Sequence, residues 1–197
     1  TLEAFTYHAA LALKKARLLQ QVNRVHNTTR IIAKASVLND LQQTLKTVVE
    51  GLKSVLFCDA VLLYVYNQFS NKLEHPPIMV GVYNTEAASR AGKVLQDSLV
   101  YKMLQNDKPY IVDDIKRDPL FRDRRFAKDE QIESCVAIPL LVADQRVGVL
   151  FVNYRKPHRF VDEEVADIEL FAHQVAVAIR DAQLHYEINK RTAYLET

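Results

Sequence analysis

Glycine is scarce in this sequence. Four glycines occur in 197 residues, so no Gly-rich loop is available to cradle a phosphate group. An excess of one charge is also missing: 26 basic residues face 24 acidic ones, a net of +2. That near-balance lacks the footprint of a nucleic-acid binder, which neutralises several phosphates at once. No apolar run approaches the roughly 20 residues that a membrane-spanning helix requires, which argues against direct membrane insertion. Cysteine is rare too. Cys58 and Cys135 have neither metal-site nor redox-pair spacing. Both have apolar neighbours and read as reduced, buried thiols of a cytoplasmic protein. The six histidines, His8, His26, His75, His158, His173 and His185, are scattered. None forms a HExxH motif or a paired ligand spacing, so no metal site is expected.

What is present is a core. Hydrophobic residues make up 49% of the chain and charged residues 25%, which suits one domain of ordinary size with extensions. A repeat also stands out. Leu2–Asn23 aligns with Ile168–Asn189 at a shift of 166, with seven of 22 positions identical: Glu3/Glu169, Phe5/Phe171, Ala10/Ala176, Ala12/Ala178, Ala16/Ala182, Leu18/Leu184 and Asn23/Asn189. Convergence of two Ala- and Leu-rich helices is one account, since helices favour those residues. The other is that one module ends with this helix and a preceding module ended alike.

Periodicity divides the chain. Residues 1–36 form one predicted helix without Pro or Gly. Leu41–Val55 is a second, with Asn39 or Asp40 as its cap. Then the period shortens. Ala60–Tyr66 and Ile78–Tyr83 read as strands, and Pro76-Pro77 makes the second start late or lie at an edge. Ser98–Leu104 reads as a short helix and Tyr110–Val112 as a strand. Residues 113–132 form a polar loop. Cys135–Val142 and Val147–Val152 read as strands joined by a turn at Ala143–Arg146. A long helix runs from Val161 to about Leu195. The class is α+β: an antiparallel sheet of five to six strands with helices on both faces, flanked by long N- and C-terminal helices. The strands are near-continuously apolar, so both faces need cover. A cavity is expected between the sheet and the excursion over residues 94–132.

The first helix carries a seven-residue seam: Leu11, Leu18, Val22, Val25, Thr29 and Ile32, broken at Lys15. The last repeats it more weakly in Val177, Leu184, Ile188 and Leu195, broken at Asp181 and Arg191. Such seams want partner helices. The expectation is a parallel homodimer held by Leu11, Leu18, Val22, Val25, Ile32, Leu184 and Ile188.

Several stretches carry a family resemblance in their order and spacing. These are Lys108-Pro109-Tyr110-Ile111-Val112-Asp113-Asp114, then Asp118-Pro119-Leu120-Phe121, then Ala137-Ile138-Pro139-Leu140. Gly148-Val149-Leu150 follows, and then Arg159-Phe160 before the helix AHQVAVAI. Together they resemble a GAF domain over residues 38–182. The resemblance implies a sensory or regulatory module of a signalling protein, and it chooses between the accounts of the repeat. Residues 1–37 resemble the tail of a preceding module acting as a connector, and 183–197 the start of a C-terminal signalling helix. The implied partners are upstream and downstream domains of the same chain and a small-molecule ligand. Kinase, cyclase and phosphodiesterase outputs stay open.

The candidate pocket residues are Tyr64, Tyr101, Asp113, Asp114, Phe121, Cys135 and Ala137. Asp113, Asp114 and Asp118 invite a Mg²⁺ or Ca²⁺ reading. However, Lys116, Arg117, Arg122, Arg124 and Arg125 interleave with them, which favours a solvated, self-paired loop. Cys135 reads as a core residue or a pocket-lining thiol. Bilin-binding relatives carry a Cys-His pair. Cys58 precedes Asp59 and Cys135 precedes Val136, which argues against covalent bilin. Asn71-Lys72 and Phe160-Val161-Asp162-Glu163-Glu164 give the cyclic-nucleotide pattern no support, because the acids follow Phe160 too early. Free methionine sulfoxide reductases share the fold but use several reactive cysteines. No nucleophile, base and orienting group come together, so no enzyme is expected. The ligand is unknown, and a dimerisation module with a vestigial pocket stands as the alternative.

Overall fold

The computed structural model describes residues 37–86 and 98–195. The connector helix with Leu11, Leu18, Val22, Val25 and Ile32, the first half of the repeat, and the start of the excursion lie outside the described residues.

Helix α1 spans Val37–Leu56. Leu41, Leu45, Val48, Val49 and Leu52 recur every three or four residues and are all buried, so one apolar stripe faces the core. The helix is already formed at Val37. Asn39 and Asp40 are therefore helical rather than capping, since no breaker separates Val37 from Leu41. It ends where Phe57 adopts φ 52, the left-handed turn that closes many helices.

Six strands follow, all paired antiparallel: β1 (Ala60–Asn67), β2 (Lys72–Leu73), β3 (Ile78–Val80), β4 (Tyr110–Val112), β5 (Ser134–Val142) and β6 (Gln145–Tyr154). The order across the sheet is β2-β1-β6-β5-β4, with β3 also on β1. Where the sequence predicts one strand over Ile78–Tyr83, two short strands flank the Pro76-Pro77 pair, which has no N–H to give a ladder. β3 stops at Val80 because Gly81 turns at φ +79, where an L side chain is strained. The predicted four-residue turn contracts to Ala143 (φ 46) and Asp144 (φ 62). Positive φ at both positions matches the strand twist of a two-residue hairpin. Gln145 and Arg146 then begin β6.

Alternation along β1 sorts the core into two layers. Val61, Leu63 and Val65 join Val136, Ile138, Leu150 and Val152 beneath α1 and the last helix, α4. Leu62 and Tyr64 join Cys135, Ala137, Val149 and Phe151 on the opposite face. That second face is covered by α2 (Leu99–Leu104), the loop after β4, and α3 (Arg125–Asp129). The polar stretch 113–132 thus contains one short helix that periodicity does not reveal, because only Ala127 in it is buried.

Helix α4 spans Asp162–Leu195, 34 residues. Asp162, Glu163 and Glu164 sit at its positive end. Val165, Ile168, Phe171, Ala172, Val175, Ala176, Ile179 and Ala182 are buried at helical spacing. Further on, Leu184 is half-buried and Ile188 exposed. The start of α4 is tied to the end of α1. The Tyr154 hydroxyl lies 3.1 Å from the Leu56 carbonyl and 3.0 Å from Glu164 Oε1. His158 stacks on the Tyr154 ring at 3.9 Å and places Nε2 2.9 Å from Glu164 Oε2. Among the described residues no helix is long and apolar enough to cross a membrane.

Candidate functional site

A cavity of about 300 Å³ lies between the second face of the sheet and its cover. Its floor is Leu62 and Tyr64 of β1 with Phe151 and Asn153 of β6. Strand register brings these together: Leu62 pairs with Phe151, and Tyr64 with Val149. Tyr64 and Phe151 meet edge to face, with centroids 5.8 Å apart. The cover supplies Ser98, Leu99 and Val100, then Ile115 and Phe121, then Arg124 to Ala127, and Ile132.

The Asp-Pro turn builds one wall. Asp118 Oδ1 accepts from the N–H groups of Leu120 (2.8 Å) and Phe121 (3.0 Å), and Oδ2 accepts from the Tyr110 hydroxyl at 2.9 Å. A carboxylate satisfying its own backbone is the usual way such a turn is fixed. Tyr110 stacks on Phe121 at 6.0 Å, and Phe121 is driven into the cavity wall. Arg124 follows in extended conformation, and its Nε donates to the Leu120 carbonyl at 2.8 Å.

A buried ion pair anchors the far side of α3. Glu130, only 2% exposed, accepts from Arg155 Nη2 at 2.7 Å and from the N–H groups of Tyr83 (2.7 Å) and Asn84 (3.2 Å). Arg155 donates further to the Gly81 and Glu130 carbonyls, both at 2.8 Å, and lies 3.6 Å above the Tyr83 ring. A buried pair this fully hydrogen-bonded holds its surroundings in register. Here it fixes the helix that contributes Arg125, Phe126 and Ala127 to the cavity.

Of the residues picked out by sequence, Tyr64 and Phe121 line the cavity. Cys135 and Ala137 belong to the same apolar cluster beneath it, and Tyr101 packs against that cluster from α2. Asp113 and Asp114 are exposed. Asp113 accepts from the Phe160 N–H at 3.3 Å, and Asp114 pairs with Arg117 at 3.1 Å. No group of three or more His, Cys, Asp or Glu with metal-holding geometry occurs among the described residues. Sequence reasoning missed Leu62, Phe151, Asn153 and Arg124. Alternation in step with Tyr64 signals Leu62, and nothing local marks Arg124.

Burial sets the chemistry of the ionisable groups. It pushes the Tyr64 hydroxyl up to about 12 and the Cys58 thiol to about 12. Cys135, with no exposed surface, is raised further, first by burial and then by Asp118. A thiol held protonated in this way is a poor nucleophile.

Known proteins align with this arrangement. The Nif-specific regulatory protein of Herbaspirillum seropedicae is 30% identical over 146 residues, 72% of this chain and 26% of its own length. The circadian input-output histidine kinase CikA of Thermosynechococcus vestitus is 28% identical over an alignment of 203 residues, 95% of this chain and 26% of its own. The chain therefore spans about a quarter of the length of either relative. Among solved structures, the GAF domain of a phosphoenolpyruvate-protein phosphotransferase from Coxiella burnetii matches with TM-score 0.63 at 20% identity. That match covers 86% of this chain and 96% of that one, a likeness of fold. The GAF family pattern itself matches residues 40–179, and with the six-stranded sheet and its two covers in place, the chain belongs to the GAF domain family.

Proposed function

We propose that the chain is a non-catalytic sensory module of a longer cytoplasmic signal-transduction protein, in which occupancy of the cavity is passed through paired helices to an output domain. The observation that carries this reading is where the cavity sits. Its floor strands, β1 and β6, hold α1 and α4 on their other face through Leu63, Leu150 and Val152. A ligand displacing Leu62, Tyr64 or Phe151 therefore acts on the strands that seat the helices, by as much as its affinities for the two arrangements differ. Tyr64 and Phe121 are the proposed direct contacts, with Cys135 and Ala137 behind them and Tyr101 at the edge. Asp113 and Asp114 are assigned to the outer loop. The buried, protonated state of both thiols supports the non-catalytic assignment.

Paired helices enter through the seam predicted from sequence: Leu11, Leu18, Val22, Val25 and Ile32, continued by Leu184 and Ile188 in a parallel homodimer. The related Nif-specific regulator and histidine kinase CikA favour a signalling output, and its type stays open.

Benzene titrated into the isotopically labelled chain tests the cavity. Amide signals of Leu62, Tyr64 and Phe151 should move first, and no response at those residues would sink the sensory reading. Exposed Leu170, Tyr186 and Ile188 on α4 favour the second reading, a dimerisation module with a vestigial cavity. Sedimentation of the native chain beside a Val22→Glu, Val25→Glu double variant tests the pairing. A dimer that becomes monomeric in the variant, together with a cavity deaf to benzene, would select that second reading.

A further inference from the structure

We propose that the cavity takes a small aromatic monocarboxylic acid, with its ring among Tyr64, Phe121 and Phe151 and its carboxylate on the guanidinium of Arg124. This rests on the sensory reading of the same cavity and narrows it to one chemical class.

Three observations lead there. The first is the wall. Four aromatic rings line the cavity, those of Tyr64, Phe121, Phe126 and Phe151, and such rings favour a flat apolar body in offset or edge contact. The volume, about 300 Å³, lies at the low end of the roughly 300–1,000 Å³ range of small-molecule pockets, which selects a small ligand.

The second is charge. Arg124 and Arg125 both line the cavity, but their states differ. Arg125 Nε is 3.3 Å from Asp129 and its side chain is 88% exposed. The other acids nearby are also engaged: Asp123 with Arg122 and Lys128, and Glu130 with Arg155. Arg124 spends only its Nε, on the Leu120 carbonyl. Among the described residues its two terminal nitrogens have no carboxylate partner, and they form the planar fork that suits a carboxylate. One unpaired guanidinium balances one negative charge. That favours a monoacid over a phosphate ester, whose greater charge would call for more cations.

The third is an unmet hydroxyl. Tyr64 is 7% exposed. Among the described residues its hydroxyl has no hydrogen-bond partner. Tyr64 is one of the residues that line the cavity. Asn153 supplies a second polar point. Its amide nitrogen donates to the Ala60 carbonyl at 3.2 Å, which leaves its oxygen as an acceptor. A carboxylate, unlike a hydrocarbon, can accept from the Tyr64 hydroxyl.

Calorimetric titration of the 197-residue chain at neutral pH tests the class with four matched probes: phenylacetate, phenylacetamide, 2-phenylethylamine and acetate. Phenylacetate should bind about tenfold or more tightly than phenylacetamide, the difference expected of a charge-assisted bidentate contact. The amine and acetate should not bind measurably. Arg124→Gln should erase the preference for acid over amide while benzene binding persists, which also shows that the variant folds. Amide or amine binding as tightly as the acid would overturn the proposal. So would an acid preference that survives Arg124→Gln, or failure of all four probes while benzene still binds. In those outcomes the sensory reading stands. If benzene itself fails at Leu62 and Phe151, the sensory reading falls as well.

Discussion

The two faces of one sheet are finished differently. Beneath α1 and α4 the layer is mainly aliphatic and closely packed: Leu45, Leu63, Leu140, Leu150, Ile168 and Ile179 are fully buried there beside Tyr154. Beneath α2 and α3 the layer is aromatic, edged with polar groups, and hollow. The same strands supply both, residue by alternate residue. The difference teaches that close packing and a cavity fall on opposite parities of β1 and β6. A close-packed layer fixes the frame, so the other face can keep a cavity whose lining forgoes part of its packing.

Truncation should break this contrast most visibly. Leu150→Ala on the closed face should cost about 3–4 kcal/mol, and Leu62→Ala on the hollow face about 2, because Leu62 already borders a void. Urea denaturation of the two variants measures it, and equal losses would mean that the hollow face is as tightly packed as the other. Enlargement should sharpen it next. Ala176→Leu, at a fully buried position, should cost about 1–3 kcal/mol by overpacking. Ala127→Leu, which points volume into the cavity, should shift stability by less than about 1 kcal/mol while weakening benzene binding.

Alkaline pH should show the smallest separation. Cys58 on the closed face rises from 9.0 to about 12, and Tyr64 on the hollow face from 10.0 to about 12, both chiefly by burial. The unfolded chain gives up these protons first, so the contribution of these two groups is constant below pH 9 and falls between 9 and 12, by at most about 1.4 kcal/mol per pH unit for each group. Melting temperature against pH should fall less steeply above pH 9 in Cys58→Ala and above pH 10 in Tyr64→Phe, with Cys135 and Tyr154, also raised by burial, keeping the rest of the slope. A slope unchanged in both would place the alkaline transition elsewhere.

Much of the frame is legible in the sequence because it follows from local rules. Leu41 to Leu52 announce a helix by their spacing. Ala60–Tyr66 announces a doubly covered strand by its unbroken apolar run. The Asp118-Pro119 pair marks the turn that seats Phe121. The order of strands is not legible, since β1 and β6 pair across a long stretch of chain and no local pattern encodes the partner. Nor is the short strand β2 ahead of Pro76-Pro77, or the end of β3 at Val80 within the predicted Ile78–Tyr83. At the cavity, Tyr64 and Phe121 could be picked out, but Arg124 could not. It sits among Arg122, Asp123 and Arg125 in a loop that reads as uniformly solvated. Only distances reveal that Arg125 has Asp129 while the fork of Arg124 has no carboxylate partner among the described residues. Asp113 and Asp114 mislead in the opposite sense: two adjacent acids draw the eye, yet their partners are the Phe160 N–H and Arg117.

The Tyr154 hydroxyl, poised between the Leu56 carbonyl and Glu164, gives the proposed sensory module two drive shafts. One shaft is the sheet, pushed from the hollow side. The other is α1, whose last carbonyl and the first turn of α4 share a single phenol as their bearing. In the proposed sensory reading, a twist arriving along α1 would reach α4 through that joint, and a push from the cavity would reach it through β6, which ends on the same tyrosine. Both inputs would then meet at one tyrosine, and α4 would answer to their resultant.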